Sequence, residues 1–359
     1  MKLLITADVH VHKHKKSDDR LQDCLQVLTW IFEQAQARGV DAVVVAGDLF
    51  HERQKLDVET YQLAFKIFQK YCGEQGMKVY LLMGNHDMYH KSQWDISSIV
   101  PLGAVPNVTV ANEPCTLNIG KHPISFLPYT ENPIGDLREL SNKSDYQILF
   151  GHLAVDGAIL NSIAHSIADV PVEHDGDMVK LGVDLFKGWD QVFLGHYHCE
   201  QRLNPHVEYV GSPLQLSFGE AFTQKHVVVY DLETHEKEYV VNDFSPKHLI
   251  VKEKDLDKHV LKGNFVRLMV NDLSTTDIVD VRNKLMEEQQ VGTIEVEQIP
   301  EKANEKERVE DARAILFKKE EMISQYVELL EKEEKLDGLD KARLIEIGTR
   351  ILEGKQANE

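Results

Sequence analysis

Five short polar motifs follow five apolar runs in this chain, and that alternation constrains its fold more than any other feature. Leu3-Leu4-Ile5 precedes Asp8-x-His10, and Ala42-Val43-Val44-Val45 precedes Gly47-Asp48. Val79-Tyr80-Leu81-Leu82 precedes Gly84-Asn85-His86-Asp87. Ile148-Leu149-Phe150 leads into Gly151-His152, and Val192-Phe193-Leu194 into Gly195-His196-x-His198. Short uninterrupted apolar runs bounded by turn residues read as strands buried on both faces. With helical patterns between them, the expected class is α/β, its polar residues gathered at the carboxyl ends of the strands, where such sheets place their sites. Asp, Asn and His, without Cys, suit manganese, iron, zinc or magnesium rather than a thiolate zinc knot. The donors suffice for two ions sharing a bridging carboxylate, an arrangement that clamps the attacking and leaving oxygens of a phosphoryl group. One Asp-x-His alone carries little weight; the set in this order carries a great deal.

The rest of the chain reads as follows. Gln22 to Arg38 has Leu25, Leu28, Phe32 and Ala35 at near-helical spacing and stops at Gly39; Asp57 to Tyr71 places Tyr61, Ala64, Phe65 and Phe68 on one face. Pro101 to Pro128 is broken into shorter segments, expected to form the second sheet of a two-sheet sandwich flanked by helices. Leu153 to Lys187 reads as a long loop with His165 and His174 on the surface, and Val227–Tyr230 with Glu238–Val241 as a terminal hairpin. Together these give a first domain over 1–245. Residues 246–300 form a second: a strand Phe265–Val270, a helix Thr276–Glu288 and a strand Gly292–Gln298, a small β-α-β unit. A charged linker covers 301–312. Over 313–359, two helices, Ile315–Glu334 and Leu339–Leu352, carry apolar stripes at Ile323, Tyr326, Val327, Leu330 and at Leu344, Ile347, Ile351.

Composition narrows the function classes. A net charge of −19 argues against a protein that coats nucleic acid by bulk electrostatics. It leaves room for a nuclease, because bound ions bring local positive charge and a partner can supply a basic surface. No apolar run approaches the roughly 20 residues of a membrane span, and the first residues lack a signal peptide's apolar region, so an intracellular, cytoplasmic protein is expected. The four cysteines, Cys24, Cys72, Cys115 and Cys199, show no C-x-x-C spacing and are expected as free thiols. The loop from His12 to Lys16 is either a local phosphate contact or a solvated charged loop.

The order of the motifs resembles that of the calcineurin-like metallophosphoesterases, and within them the SbcD-type DNA-repair nucleases, the nuclease subunits of bacterial and phage SbcCD complexes. Two stretches narrow the resemblance: Gly47-Asp48-Leu49-Phe50-His51, and Tyr209-Val210-Gly211-Ser212-Pro213 followed by Leu216-Ser217-Phe218-Gly219-Glu220. It is specific over roughly residues 1–230 and looser to about 300. It implies that Asp8, His10, Asp48 and His198 hold one metal ion, and that Asp48, Asn85, His152 and His196 hold a second, Asp48 bridging. His86 is then the catalytic histidine, oriented by Asp87, and His51 reaches toward the scissile phosphate. The family follows Asp-x-His with Leu-Gly; here Val11-His12-Lys13-His14-Lys15-Lys16 stands instead, so the first loop departs from the pattern.

The same resemblance implies two divalent ions, manganese with magnesium as the alternative, and DNA as substrate: 3′–5′ exonuclease action on duplex ends and endonuclease action on single strands, in break repair and recombination. It implies that the β-α-β unit caps the nuclease site. It also implies that the chain forms a homodimer and that its C-terminal helices dock on a separate SMC-like ATPase; the chain has no Walker motif of its own. The rival readings are a metallophosphoesterase for another phosphate ester and a non-catalytic DNA-end scaffold. The complete ligand set speaks against the scaffold.

Overall fold

The computed structural model describes residues 1–14, 16–90, 94–140, 146–159, 181–270, 275–289, 291–298 and 343. Met1–Met269 with Thr275–Glu297 form one compact unit; Val270–Ser274 with Gln298–Glu359 form a second. Of that second unit the described residues are few, so the expected C-terminal helices lie outside them, as do His165 and His174.

Two six-stranded sheets make the body. In the first, β1 (Lys2–Thr6), β2 (Ala42–Ala46), β3 (Lys78–Leu82) and β4 (Val108–Ala111) run parallel, and β11 (His226–Asp231) and β12 (Lys237–Val241) complete the order β12-β11-β1-β2-β3-β4. The second has β5 (Cys115–Ile119), β6 (His122–Leu127), β7 (Ile148–His152), β8 (Gln191–Gly195), β10 (Val207–Tyr209) and β9 (Gln201–Arg202), in that order. The α/β two-sheet expectation holds, with one correction. Val108–Ala111 does not join the second sheet; it pairs parallel with β3 at the edge of the first.

The apolar runs are buried on both faces because their side chains alternate between two cores. Leu4, Val43 and Val45 face a helix-side core with Leu25, Leu28, Phe32 and Phe68, whereas Leu3, Ile5, Ala42 and Val44 face an inter-sheet core with Phe126, Phe150, Phe193 and Tyr230. Each such side chain contributes about 1.5–3 kcal/mol on burial. Helix α1 (Asp18–Ala37) starts four residues earlier than its apolar spacing suggests, because Ser17 caps it by accepting from the Arg20 N–H and Asp18 and Asp19 complement its dipole. Helix α2 (Val58–Phe68) is capped by Asp57 and continues into a π-helical turn, Gln69–Glu74.

The segment after residue 245 folds as a three-stranded sheet, β13 (His248–Lys252), β14 (Phe265–Val270) and β15 (Thr293–Gln298), with a helix Thr275–Gln289. The β-α-β pattern is as expected; β13, parallel to β14, is an addition. This sheet is tied to the body at Arg20, Gln215 and Phe218. The His248 N–H donates to Gln215 Oε1 at 2.6 Å, Arg20 lies 4.7 Å from the Phe265 ring centre, and Arg267 lies 4.3 Å from that of Phe218.

Candidate metal centre

Every ligand-type residue singled out from the sequence sits at or just beyond the carboxyl end of β1, β2, β3, β7 or β8, and the side chains converge. Burial is nearly complete for five of them, with Asp8, Asp48 and His10 at most 1% exposed, His152 0% and Asn85 3%, while His196 and His198 are half-buried. The chain reaches these positions through left-handed backbone at Asp8 (φ 52°), His10 (48°), Asp48 (53°) and His196 (99°). Non-glycine residues adopt that region at a cost, and such strain concentrates at functional sites. Two glycines make room for the convergence: a Cβ at Gly84 would collide with the Asp48 carboxylate, and one at Gly195 with the Ala46 carbonyl.

Asp48 lies between two groups of donors. Its Oδ2 is 3.6 Å from His10 Nε2 on one side and 3.3 Å from His152 Nε2 on the other. On the first side, one donor atom each from Asp8, His10 and His198 lie within 4.8 Å of one another. On the second, Asn85 Oδ1 is 3.0 Å from His152 Nε2 and 3.1 Å from His196 Nδ1. Asp8 is held by accepting the His196 N–H at 3.0 Å, and Asp48 Oδ1 by accepting the His86 N–H at 2.8 Å.

The rings are oriented from behind. His152 Nδ1 donates to the Ala46 carbonyl at 2.9 Å, leaving Nε2 as the donor atom facing Asp48. His198 Nδ1 meets Glu220 Oε1 at 3.0 Å, leaving its Nε2 just 3.1 Å from His10 Nε2. Two imidazole lone pairs that close need a proton or a cation between them. Buried carboxylates and imidazoles arranged around such points are a donor set that fits a pair of divalent ions.

The electrostatics agree. Burial raises the Asp8 carboxyl to about 6. Burial also pushes Asp48 upward, but His152 and His10 outweigh it and hold this carboxyl well below the usual range. Burial would lower His152, yet the Asp48 carboxylate raises it to about 9. Burial lowers His10, and burial with His152 nearby lowers His196, so both rings are kept as neutral donors beside the Asp48 carboxylate.

One side chain has a job different from that read in the sequence, and another has a job that was not read there. Asp87 does not hold the His86 ring. Its carboxylate accepts the Phe50 N–H at 3.1 Å and the Gly84 N–H at 3.0 Å, pinning the β2 and β3 loops together, and burial with Asp48 nearby raises it to about 7. The His86 ring is fixed instead by the His51 main-chain carbonyl, 2.6 Å from Nδ1. Fully buried, Asp87 points to the backbone because unsatisfied N–H groups there are costly. The other is Glu220, whose stretch was legible but not its role. It orients His198 and is itself held by the Ser212 hydroxyl at 2.9 Å and by Lys225, which also donates to the His198 carbonyl at 2.8 Å. Lys225 and His198 outweigh burial and keep its carboxyl near 2. The only hint in the sequence was a glutamate ending a family stretch.

His51 stands beside the centre, its Nδ1 3.2 Å from His10 Nδ1 and its ring stacked on that of His86 with centroids 5.3 Å apart. None of the described cysteines forms a disulfide, and Cys199 offers no atom to the donor groups. Among the described residues no helix is long and apolar enough to cross a membrane.

Comparison with known proteins adds three findings. A family model described as calcineurin-like phosphoesterase matches residues 1–200. Exonuclease subunit 1 of Enterobacteria phage T4 is 25% identical over 247 residues, 68% of either chain. The SbcD subunit of the SbcCD nuclease is 25% identical over 278 residues in Escherichia coli (67% of this chain, 68% of the relative), and 24% identical over 258 residues in Staphylococcus epidermidis (66% and 67%).

Proposed function

Because the chain belongs to the calcineurin-like phosphoesterases, dinuclear metal enzymes that cleave phosphate esters, we propose that it is a DNA nuclease that hydrolyses phosphodiester bonds at the paired centre. The observation that carries this reading is Asp48 Oδ2 poised between His10 and His152, with Asn85, His196, Asp8 and His198 completing the two donor groups. Nuclease relatives in a phage and in bacteria, matched over two thirds of their length, support DNA as the substrate.

Asp8, His10, Asp48 and His198 would hold one ion, and Asp48, Asn85, His152 and His196 the other. Bound there, divalent ions supply Lewis acidity toward a phosphoryl oxygen and toward the attacking water. The chain supplies the rest. With Nδ1 tied to the His51 carbonyl, His86 presents Nε2 to the substrate and delivers a proton to the departing oxygen. His51 contributes a contact to the scissile phosphate. Asp87 acts at one remove, holding the Asp48 and Asn85 loops at fixed separation. The ions are manganese in this reading, with magnesium the alternative. The action is 3′–5′ exonuclease on duplex ends and endonuclease on single strands, in the cytoplasm, during break repair and recombination. The sheet β13–β15 caps the site and selects DNA shape, a homodimer is the working form, and residues 313–359 dock on an SMC-like ATPase.

The test is cleavage of end-labelled duplex DNA with manganese, against a chromogenic phosphodiester. Wild type degrades the DNA. His86→Ala retains both ions and binds DNA ends but loses about 10²–10⁴-fold in turnover. Hydrolysis of the small diester with no cleavage of DNA would overturn the nuclease reading. Loss of metal from His86→Ala would make that residue a ligand.

A further inference from the structure

Beside the paired centre, three histidines that are not among its proposed ligands come together. The main chain at Val11 bridges Phe50 in parallel, with the Val11 N–H donating to the Leu49 carbonyl at 2.9 Å, and this sets His12 next to His51. The turn that follows folds His14 back onto both. The three ring centroids are 5.1, 5.1 and 4.8 Å apart, and one nitrogen from each ring lies within 4.8 Å of the other two.

One nitrogen of each ring is already engaged. His14 Nε2 donates to the His10 carbonyl at 3.0 Å, which leaves Nδ1. His12 Nε2 lies 3.5 Å from the Glu52 carboxylate, and its Nδ1 is buried with no hydrogen-bond partner among the described residues. His51 Nδ1 lies 3.2 Å from His10 Nδ1, the atom that carries the proton when His10 Nε2 ligates, so His51 offers the Nε2 lone pair when its ring turns from His10. Anchoring one nitrogen to a carboxylate or carbonyl so that the other is presented is how metal-binding imidazoles are held. The three rings line a cavity of about 410 Å³ between the body and the β13–β15 sheet, so an ion can enter.

The alternative occupant, an anion, finds little here. Arg20, the cation lining that cavity, is committed to Asp23 at 2.9 Å and to the Gln215 carbonyl at 3.0 Å. Lys13 is committed to Glu59 at 2.8 Å and Asp18 at 3.1 Å. The charged neighbour of His12 is a carboxylate, Glu52.

We propose that His12, His14 and His51 form a third ion site, separate from the paired centre, for a borderline transition ion such as Zn²⁺. An all-imidazole set selects zinc, copper or nickel over magnesium, calcium and manganese, which prefer oxygen. Three imidazoles leave the fourth tetrahedral position to water. An ion held there takes up the remaining nitrogen of His51 and withdraws that ring from the phosphate. On the nuclease reading, zinc then acts as an inhibitor without displacing the ions of the paired centre.

The binding test does not depend on that reading. Full-length protein stripped of metal is loaded with Zn²⁺ alone, desalted and analysed for zinc per chain, with thermal melting to check folding. Wild type retains three equivalents. The His12→Asn/His14→Asn double variant retains two. His12→Cys, which puts a thiolate in place of an imidazole, retains three. The proposal is overturned if wild type holds only two, if the double variant still holds three, or if it drops to one or none, which would make these residues part of the paired centre. In a manganese-supported DNA assay, added zinc should inhibit wild type at least ten-fold more strongly than the double variant; equal inhibition would remove the regulatory part and leave the ion site standing.

Discussion

At the scale of single residues, position relative to Asp48 decides what a substitution does. Asp48 faces both donor groups, so Asp48→Ala should lower metal content at both sites, whereas His10→Ala should leave the Asn85–His152–His196 group loaded. Metal analysis by mass spectrometry decides; two tightly held ions in Asp48→Ala would end the bridging assignment. Glu220 touches no predicted ion and yet orients His198. Removing such a support typically costs 10–100-fold in metal affinity. Glu220→Gln should therefore weaken one ion by about that factor and spare the other, read as two separated steps in a chelator competition. A single shared loss would mean that Glu220 acts on the whole fold. The residues that converge were legible because residue type and order along the chain encode them. What orients them was not: the Ala46 and His51 carbonyls carry no side-chain signature, and the aspartate next to His86 in sequence serves the backbone instead.

At the scale of elements, strands that alternate between two cores announced themselves, and both main helices did so through their apolar spacing. The misses have a common cause, which is that pairing is a property of two segments and periodicity of one. Val108–Ala111 is only four residues long and nothing within it says that its neighbour is β3. His248–Lys252 has three apolar residues in a row and becomes a strand only against β14. Strand β11 also sets a limit in acid. His226 is 6% exposed, its ring against Tyr239 at 5.0 Å, and burial together with Lys225 pushes it down to about 4. Unfolded, it titrates near 6.5. The folded state thus binds fewer protons between these values, so the contribution is complete above about pH 6.5 and is lost as pH falls through about 4. His226→Asn should show a flatter fall in unfolding free energy across that window, by about 3 kcal/mol at most. Parallel curves for variant and wild type, at constant metal, would show that His226 is already charged in the fold.

At the scale of the molecule, the first 245 residues contain every proposed ligand, so the C-terminal segment should be separable from the chemistry. Deleting 313–359 should leave folding, metal content and nuclease activity in isolation intact, while copurification with an SMC-like ATPase is lost. Apolar anchors on such helices contribute about 1.5–3 kcal/mol each, so the loss should be large. Tyr326→Asp with Leu330→Asp should do the same without shortening the chain; wild-type affinity in either variant would place the partner elsewhere. One consequence of the fold concerns time. His10 and His198 meet across 188 residues of sequence, and β11, which flanks β1, comes later still. At about 5–20 residues per second, roughly 10–40 s of synthesis separate the emergence of the first donor from that of the last. Throughout that interval the nascent chain holds an incomplete centre. A ribosome can therefore make this enzyme beside the genome for most of that interval before all the donors of the centre exist.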